Sequence, residues 1–156
     1  MCSAGTKVNC PQRDVPYPSL KPLSPLAALR IIEERNMPTV LIVDDYAAVR
    51  SAIRVGLERY SFSVCGEAVD GVEAIEKATQ LNPDFILLDL AMPSMNGVET
   101  ASVLKGLMPH VPIIAFSMYA ELLSNSLAST VCIDAVVAKS DGVRKVVECA
   151  RTLLGV

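Results

Sequence analysis

A chain of 156 residues that is 51% hydrophobic and 20% charged has the size and apolar content of one domain with its own core. A formal net charge of −3 and a pI near 5.1 argue against nucleic-acid binding by the domain as a whole, since a phosphate backbone needs a basic face. The longest apolar stretches are strand-length and end in polar or turn residues, so no membrane span is expected, and no secretory signal opens the chain.

Residues 1–23 carry Pro11, Pro16, Pro18 and Pro22 among small and polar residues, which predicts a flexible arm. Residues 24–36 predict a short extra helix. Ser24 suits its N-cap, Pro25 its first turn and Asn36 its end, with Leu26, Leu29 and Ile32 forming an apolar stripe. From residue 38 to residue 156 the pattern alternates. Strands are predicted at 40–43, 62–68, 84–88, 112–116 and 133–138. Helices are predicted at 46–60, 71–81, 97–107, 120–128 and 142–154.

Strands alternating with short helices imply βαβ units and a parallel sheet covered on both faces, and near-continuous apolar strands fit that burial. Five units match a flavodoxin-like (βα)5 three-layer sandwich with strand order 2-1-3-4-5. In such a sheet a ligand crevice opens beyond the strand C-termini, between strands 1 and 3.

The polar residues gather at that edge. Asp44 and Asp45 end strand 1, Asp89 ends strand 3, Ser117 ends strand 4 and Lys139 follows strand 5. Asp45 alone reads as a helix N-cap, but capping leaves Asp44, Asp89 and Lys139 unexplained. Three clustered carboxylates repel one another and call for a cation, and hard oxygen ligands beside an open crevice suit Mg²⁺. Such a metal, with Lys139 and Ser117, would neutralise a phosphoryl group in transfer, and Asp89 is the best-placed carboxylate nucleophile.

These pieces carry a resemblance. VLIVDD, LLDLAMPSMNG, the Ser of AFS and the Lys of VVAKS stand in order and at the spacing of receiver domains of two-component response regulators, CheY-like domains, over residues 38–156. The resemblance implies that Asp89 is the phosphoacceptor, supplied by a sensor histidine kinase or a small phosphodonor. It implies Mg²⁺ bound directly by Asp45 and Asp89 and through water by Asp44, with the backbone carbonyl of Ala91 completing the site. Ser117 would hydrogen-bond the phosphoryl group and Lys139 would pair with one of its oxygens.

Three departures qualify the resemblance. Val136 stands where the switch usually has Tyr or Phe, and Ser140 replaces the proline that usually follows the lysine. Ala91 and Tyr119 occupy positions that influence the access of hydrolytic water, and a bulky Tyr119 implies a longer-lived phosphoryl-aspartate.

The chain stops at Val156 directly after its last helix, so a stand-alone receiver is expected, with a protein contact as its output. Its expected class is a non-enzymatic, phosphorylation-controlled binding module. The alternative is a shuttle or phosphate sink that passes the group to a histidine-phosphotransfer protein. A Mg²⁺-dependent phosphatase is disfavoured, because that class needs an acid where Ala91 stands. The five cysteines (Cys2, Cys10, Cys65, Cys132 and Cys149) form no CxxC pair and read as reduced thiols of a cytoplasmic protein. The single histidine, His110, reads as a surface turn residue.

Overall fold

The computed structural model describes residues 24–26, 37–93, 96–118, 120 and 133–156. Residues 1–34 form one unit and residues 35–156 a second. In the first, Pro25 and Leu26 are helical, at the expected start of the extra helix. The rest of that helix and the arm lie outside the described residues.

The second unit alternates strand and helix. It runs β1 (Thr39–Val43), α1 (Ala47–Arg59), β2 (Ser63–Ala68), α2 (Gly71–Leu81), β3 (Phe85–Leu88), α3 (Gly97–Leu107), β4 (Ile113–Ser117), β5 (Ala135–Ala138) and α4 (Gly142–Leu154). A 3-10 turn, Lys139–Asp141, joins β5 to α4. Of the helix expected at 120–128, Ala120 is described and helical, and the remainder lies outside the described residues. No helix among the described residues is long and apolar enough to cross a membrane.

The five strands are parallel in the order β2-β1-β3-β4-β5, as the alternation predicts. The central strands are buried on both faces, which explains the apolar runs VLIV, FILL and IIAF. Val40, Ile42, Phe85, Leu87, Ile114 and Phe116 pack on one side with Ile53 and Leu57 of α1 and with Val146, Val147 and Ala150 of α4. Leu41, Val43, Ile86, Leu88 and Ile113 pack on the other with Ala74 and Ala78 of α2 and with Ala101 and Leu104 of α3. Three layers result.

Helix ends follow local chemistry. Asp70 caps α2 by accepting the Glu73 N–H at 2.8 Å, and the Glu73 carboxylate accepts the Val69 N–H at 2.7 Å. Asn82 closes the same helix in the left-handed conformation. Helix α1 departs from expectation: its N-cap position is Tyr46, with no side-chain cap. Asp44, rather than Asp45, takes the Tyr46 N–H, at 2.8 Å. Strand β5 starts two residues later than predicted. The Asp134 backbone N–H pairs with Ile113 O while its carboxylate accepts the Ile113 N–H, so Asp134 acts as a clasp ahead of the strand.

One irregularity marks the sheet. Val40 pairs with Val64 but Leu41 pairs with Gly66, so Cys65 is an extra residue in β2. Its thiol donates to Val40 O at 3.3 Å, and burial pushes its pKa up, which keeps it protonated. Cys65 and Cys149 are free thiols, and His110 is exposed in a turn. Cys2, Cys10 and Cys132 lie outside the described residues.

Phe85 is fully buried in the centre of the sheet and meets Phe62 edge-on, with ring centroids 5.5 Å apart. Phe85→Ala should therefore cost about 3–5 kcal/mol in urea unfolding. A loss below about 1 kcal/mol would show that this ring does not anchor the core.

Candidate functional site

The strand registers set the site. Val43 lies beside both Ala68 and Leu88, Leu88 beside Ala115, and Ser117 beside Ala138. The residues that follow or close these strands therefore emerge on one edge. Carboxylate oxygens of Asp44, Asp45 and Asp89 all lie within 4.8 Å of one another there.

The three acids are not equivalent. Asp44 is 1% exposed, and both its carboxylate oxygens have partners. Its N–H donates to Ala68 O at 3.1 Å, its Oδ1 accepts from Tyr46 N, and its Oδ2 accepts from Lys139 Nζ at 2.7 Å. Asp89, 5% exposed, accepts from Ala91 N at 3.0 Å through Oδ1 and from Lys139 Nζ at 2.7 Å through Oδ2. Asp45 differs. Its Oδ1 is buried with no hydrogen-bond partner among the described residues. A buried carboxylate oxygen left in that state is costly in isolation, and a bound cation removes the cost. Three hard oxygen donors around such an atom form a set that can hold a metal ion.

Lys139 ties this edge together. Burial works against its charge, but the hydrogen bonds it donates to Asp44 and Asp89 and their Coulombic attraction outweigh that, so its pKa is raised. Three acids face this one ammonium, and negative charge remains for a further cation.

The loop after β3 is held just as closely. The Asp89 N–H donates to Val43 O at 2.8 Å, continuing the sheet one residue past β3. Gly97 opens α3 directly against this loop: a β-carbon there would stand 2.5 Å from Leu90 Cα and 2.6 Å from Asp89 O. Only glycine lets the helix close on the acid-bearing segment. Asn96 caps the helix at the same point by accepting the Val98 N–H at 3.1 Å.

The other predicted site residues fall as follows. Ser117 is buried, at 1% exposure, at the end of β4. Ala91 is exposed at the mouth of the crevice, and Val136 is half-buried on β5 beside Ala115. Ser140 lies within the 3-10 turn, and no cis peptide bond occurs among the described residues. Tyr119 lies outside the described residues. Sequence reasoning missed Arg50, whose guanidinium donates to the Asp44 backbone carbonyl at 2.7 Å, and Glu67, which holds Arg50. The visible signal was a single charge, Glu67, inside strand β2.

Replacing Lys139 by Met leaves Asp44 and Asp89 buried without their cation. Unfolding at neutral pH is expected to show a loss of about 2–4 kcal/mol, somewhat under the full cost of a broken interior pair because the crevice is open on one side. The sign of the pH dependence follows from the raised pKa. The Lys139 contribution is complete below the ordinary lysine value of 10.5 and is lost as pH rises through the higher folded value. The gap between wild type and Lys139→Met should hold from neutrality up to 10.5 and narrow above it. Narrowing near neutrality would contradict the ion-pair account.

Comparison with known proteins gives a consistent result. The response regulator receiver domain family matches residues 40–150. The chain is 34% identical over 113 residues to the response regulator protein VraR of Staphylococcus aureus, covering 72% of this chain and 54% of VraR. It is 38% identical over 78 residues to the chemotaxis protein CheY of Thermotoga maritima, covering 50% and 65% respectively. Among solved structures, the response regulator domain of Thermotoga maritima CheB aligns with a TM-score of 0.67 at 27% identity, covering 78% of this chain and 98% of that one. Thermotoga maritima TrrA, solved in complex with Mg(2+)-BeF, aligns with a TM-score of 0.68 at 26% identity, covering 75% and 99%. The matches with VraR and CheY thus span only part of those relatives' lengths. With the sheet order, the acid cluster and its lysine already in place, the family match over residues 40–150 establishes that this chain belongs to the response regulator receiver domains.

Proposed function

We propose that this chain accepts a phosphoryl group on Asp89 from a sensor histidine kinase and that the modified state switches binding to a partner protein in the cytoplasm. Asp45 and Asp89 would hold Mg²⁺ directly, with Asp44 assisting through water and the Ala91 carbonyl completing the set. The observation that carries this reading is the buried, partnerless Asp45 Oδ1 beside the Asp89 carboxylate. Bound there, Mg²⁺ supplies charge neutralisation to the phosphoryl oxygens.

The chain's own residues do the rest. The Ala91 N–H and Lys139 Nζ each hold one oxygen of the Asp89 carboxylate, which fixes its orientation for attack. A carboxylate oxygen forms a bond to phosphorus as the donor's P–N bond breaks, and the bonding pair returns to the donor imidazole. Lys139 has three donor hydrogens, so one remains for a phosphoryl oxygen beyond its two present bonds. Ser117, buried on the same edge, offers a hydroxyl to the product.

The result is a phosphoacceptor that assists its own modification, not a turnover enzyme. Ala91 offers no acid to protonate a leaving group, which supports acceptance over phosphatase chemistry. Val136 cannot act as a rotating ring, so the altered state is communicated through backbone and loop shifts at this edge.

Incubation with Mg²⁺ and acetyl phosphate, followed by intact mass measurement, tests the reading. Wild type should gain the mass of one phosphoryl group, while Asp89→Asn or added chelator should abolish the gain. A gain that survives Asp89→Asn, or none in wild type, overturns the assignment.

A further inference from the structure

Glu67 is the only charged residue of β2, and the irregularity at Cys65 decides which way it faces. Val64 packs on the α1 and α4 side of the sheet. Strict alternation would place Gly66 and Ala68 on that side and turn Glu67 away from α1. Ala68 instead packs with α2 and α3, so the extra residue has reversed the alternation. Glu67 consequently meets α1. Its carboxylate accepts from Arg50 Nε at 3.1 Å and from Arg54 Nε at 2.7 Å, and Lys77 Nζ donates to its backbone carbonyl.

Arg50 does more than pair. Its side chain is only 13% exposed, and a second guanidinium nitrogen donates to the Asp44 carbonyl at 2.7 Å. That carbonyl belongs to the peptide joining Asp44 to Asp45. One planar, rigid group thus spans β2, the first turn of α1 and the peptide that sets the direction of the Asp45 side chain. Arg54 shares Glu67 but makes no bond to that peptide.

We infer that Arg50, anchored by Glu67, is a positioning residue that fixes the Asp44–Asp45 peptide and so aims the Asp45 carboxylate for Mg²⁺ before the ion arrives. The inference rests on the Mg²⁺ reading above. Mg²⁺ demands near-ideal octahedral geometry, so a small swing of one ligand weakens binding, and groups that orient metal ligands commonly carry large effects on affinity.

Titration calorimetry of Mg²⁺ into the full chain tests it, with thermal melting of each variant recorded alongside. Arg50→Met should weaken Mg²⁺ binding about tenfold. Arg50→Lys, which cannot bridge both acceptors at once, should weaken it about threefold. Arg54→Met should stay within about twofold of wild type even where its melting temperature falls. Saturating Mg²⁺ should restore the phosphorylation rate of Arg50→Met, a split that general loosening of the fold would not produce. Should Arg50→Met fail to fold, Arg50→Lys and Glu67→Gln carry the same comparison. Unchanged affinity in the Arg50 variants, or equal weakening in Arg54→Met, overturns the positioning role alone. Absence of Mg²⁺ binding in wild type overturns both this role and the proposed function.

Discussion

Lys139 reaches from the end of β5 to carboxylates at the ends of β1 and β3, with a bond of 2.7 Å to each. Strand β4 lies between them in the sheet, so the contact needs a long, flexible stem and a compact charge at its tip. Everything at this edge depends on that reach. Carboxylates crowded at the mouth of a sheet buried on both faces repel one another, and the ammonium offsets enough of that repulsion for the strands to close in register. The strand order is part of the same solution. Only with β1 beside β3 do Asp44 and Asp45 face Asp89, and only with β5 two places further along does Lys139 bridge them.

The architecture was legible because its signals are local. VLIV, FILL and PIIAF are strand-length apolar runs, and each is followed by polar or glycine-bearing turns that allow only short connections. The site was legible because a parallel sheet sends the residues after its strands to one edge, so Asp44, Asp45, Asp89, Ser117 and Lys139 converge without any contact being known. What escaped depends on backbone paths that side-chain types do not report. Either of two adjacent aspartates suits the Tyr46 N–H, and the turn awards it to Asp44, leaving Asp45 with the open oxygen. Asp134 looked like a strand residue and is a clasp, because its carboxylate competes for the Ile113 N–H.

The Asp doublet therefore divides its labour. Asp44 spends its hydrogen-bonding capacity on the protein and behaves as a keystone of the turn, while Asp45 spends less and stays available. Two identical side chains thus come to differ, one committed to the turn and one with an open oxygen, through the peptide between them. Gly97 applies the same logic to the opposite wall, where the missing β-carbon lets α3 press on the segment carrying Asp89. Both walls of the crevice are thus held close, one by hydrogen bonds and the other by a missing β-carbon.

The extra residue at Cys65 has a second consequence at the outer margin of the sheet. Among the described residues strand β2 has no neighbour beyond it within the sheet, and a straight strand in that place offers a template for another chain. The bulge bends and twists β2, and the carboxylate that it reorients is held by two arginines against the strand's own domain. At the far margin β5 is only four residues long, too short to recruit a partner strand well. Both borders of the sheet are thus poor seeds for intermolecular β-pairing.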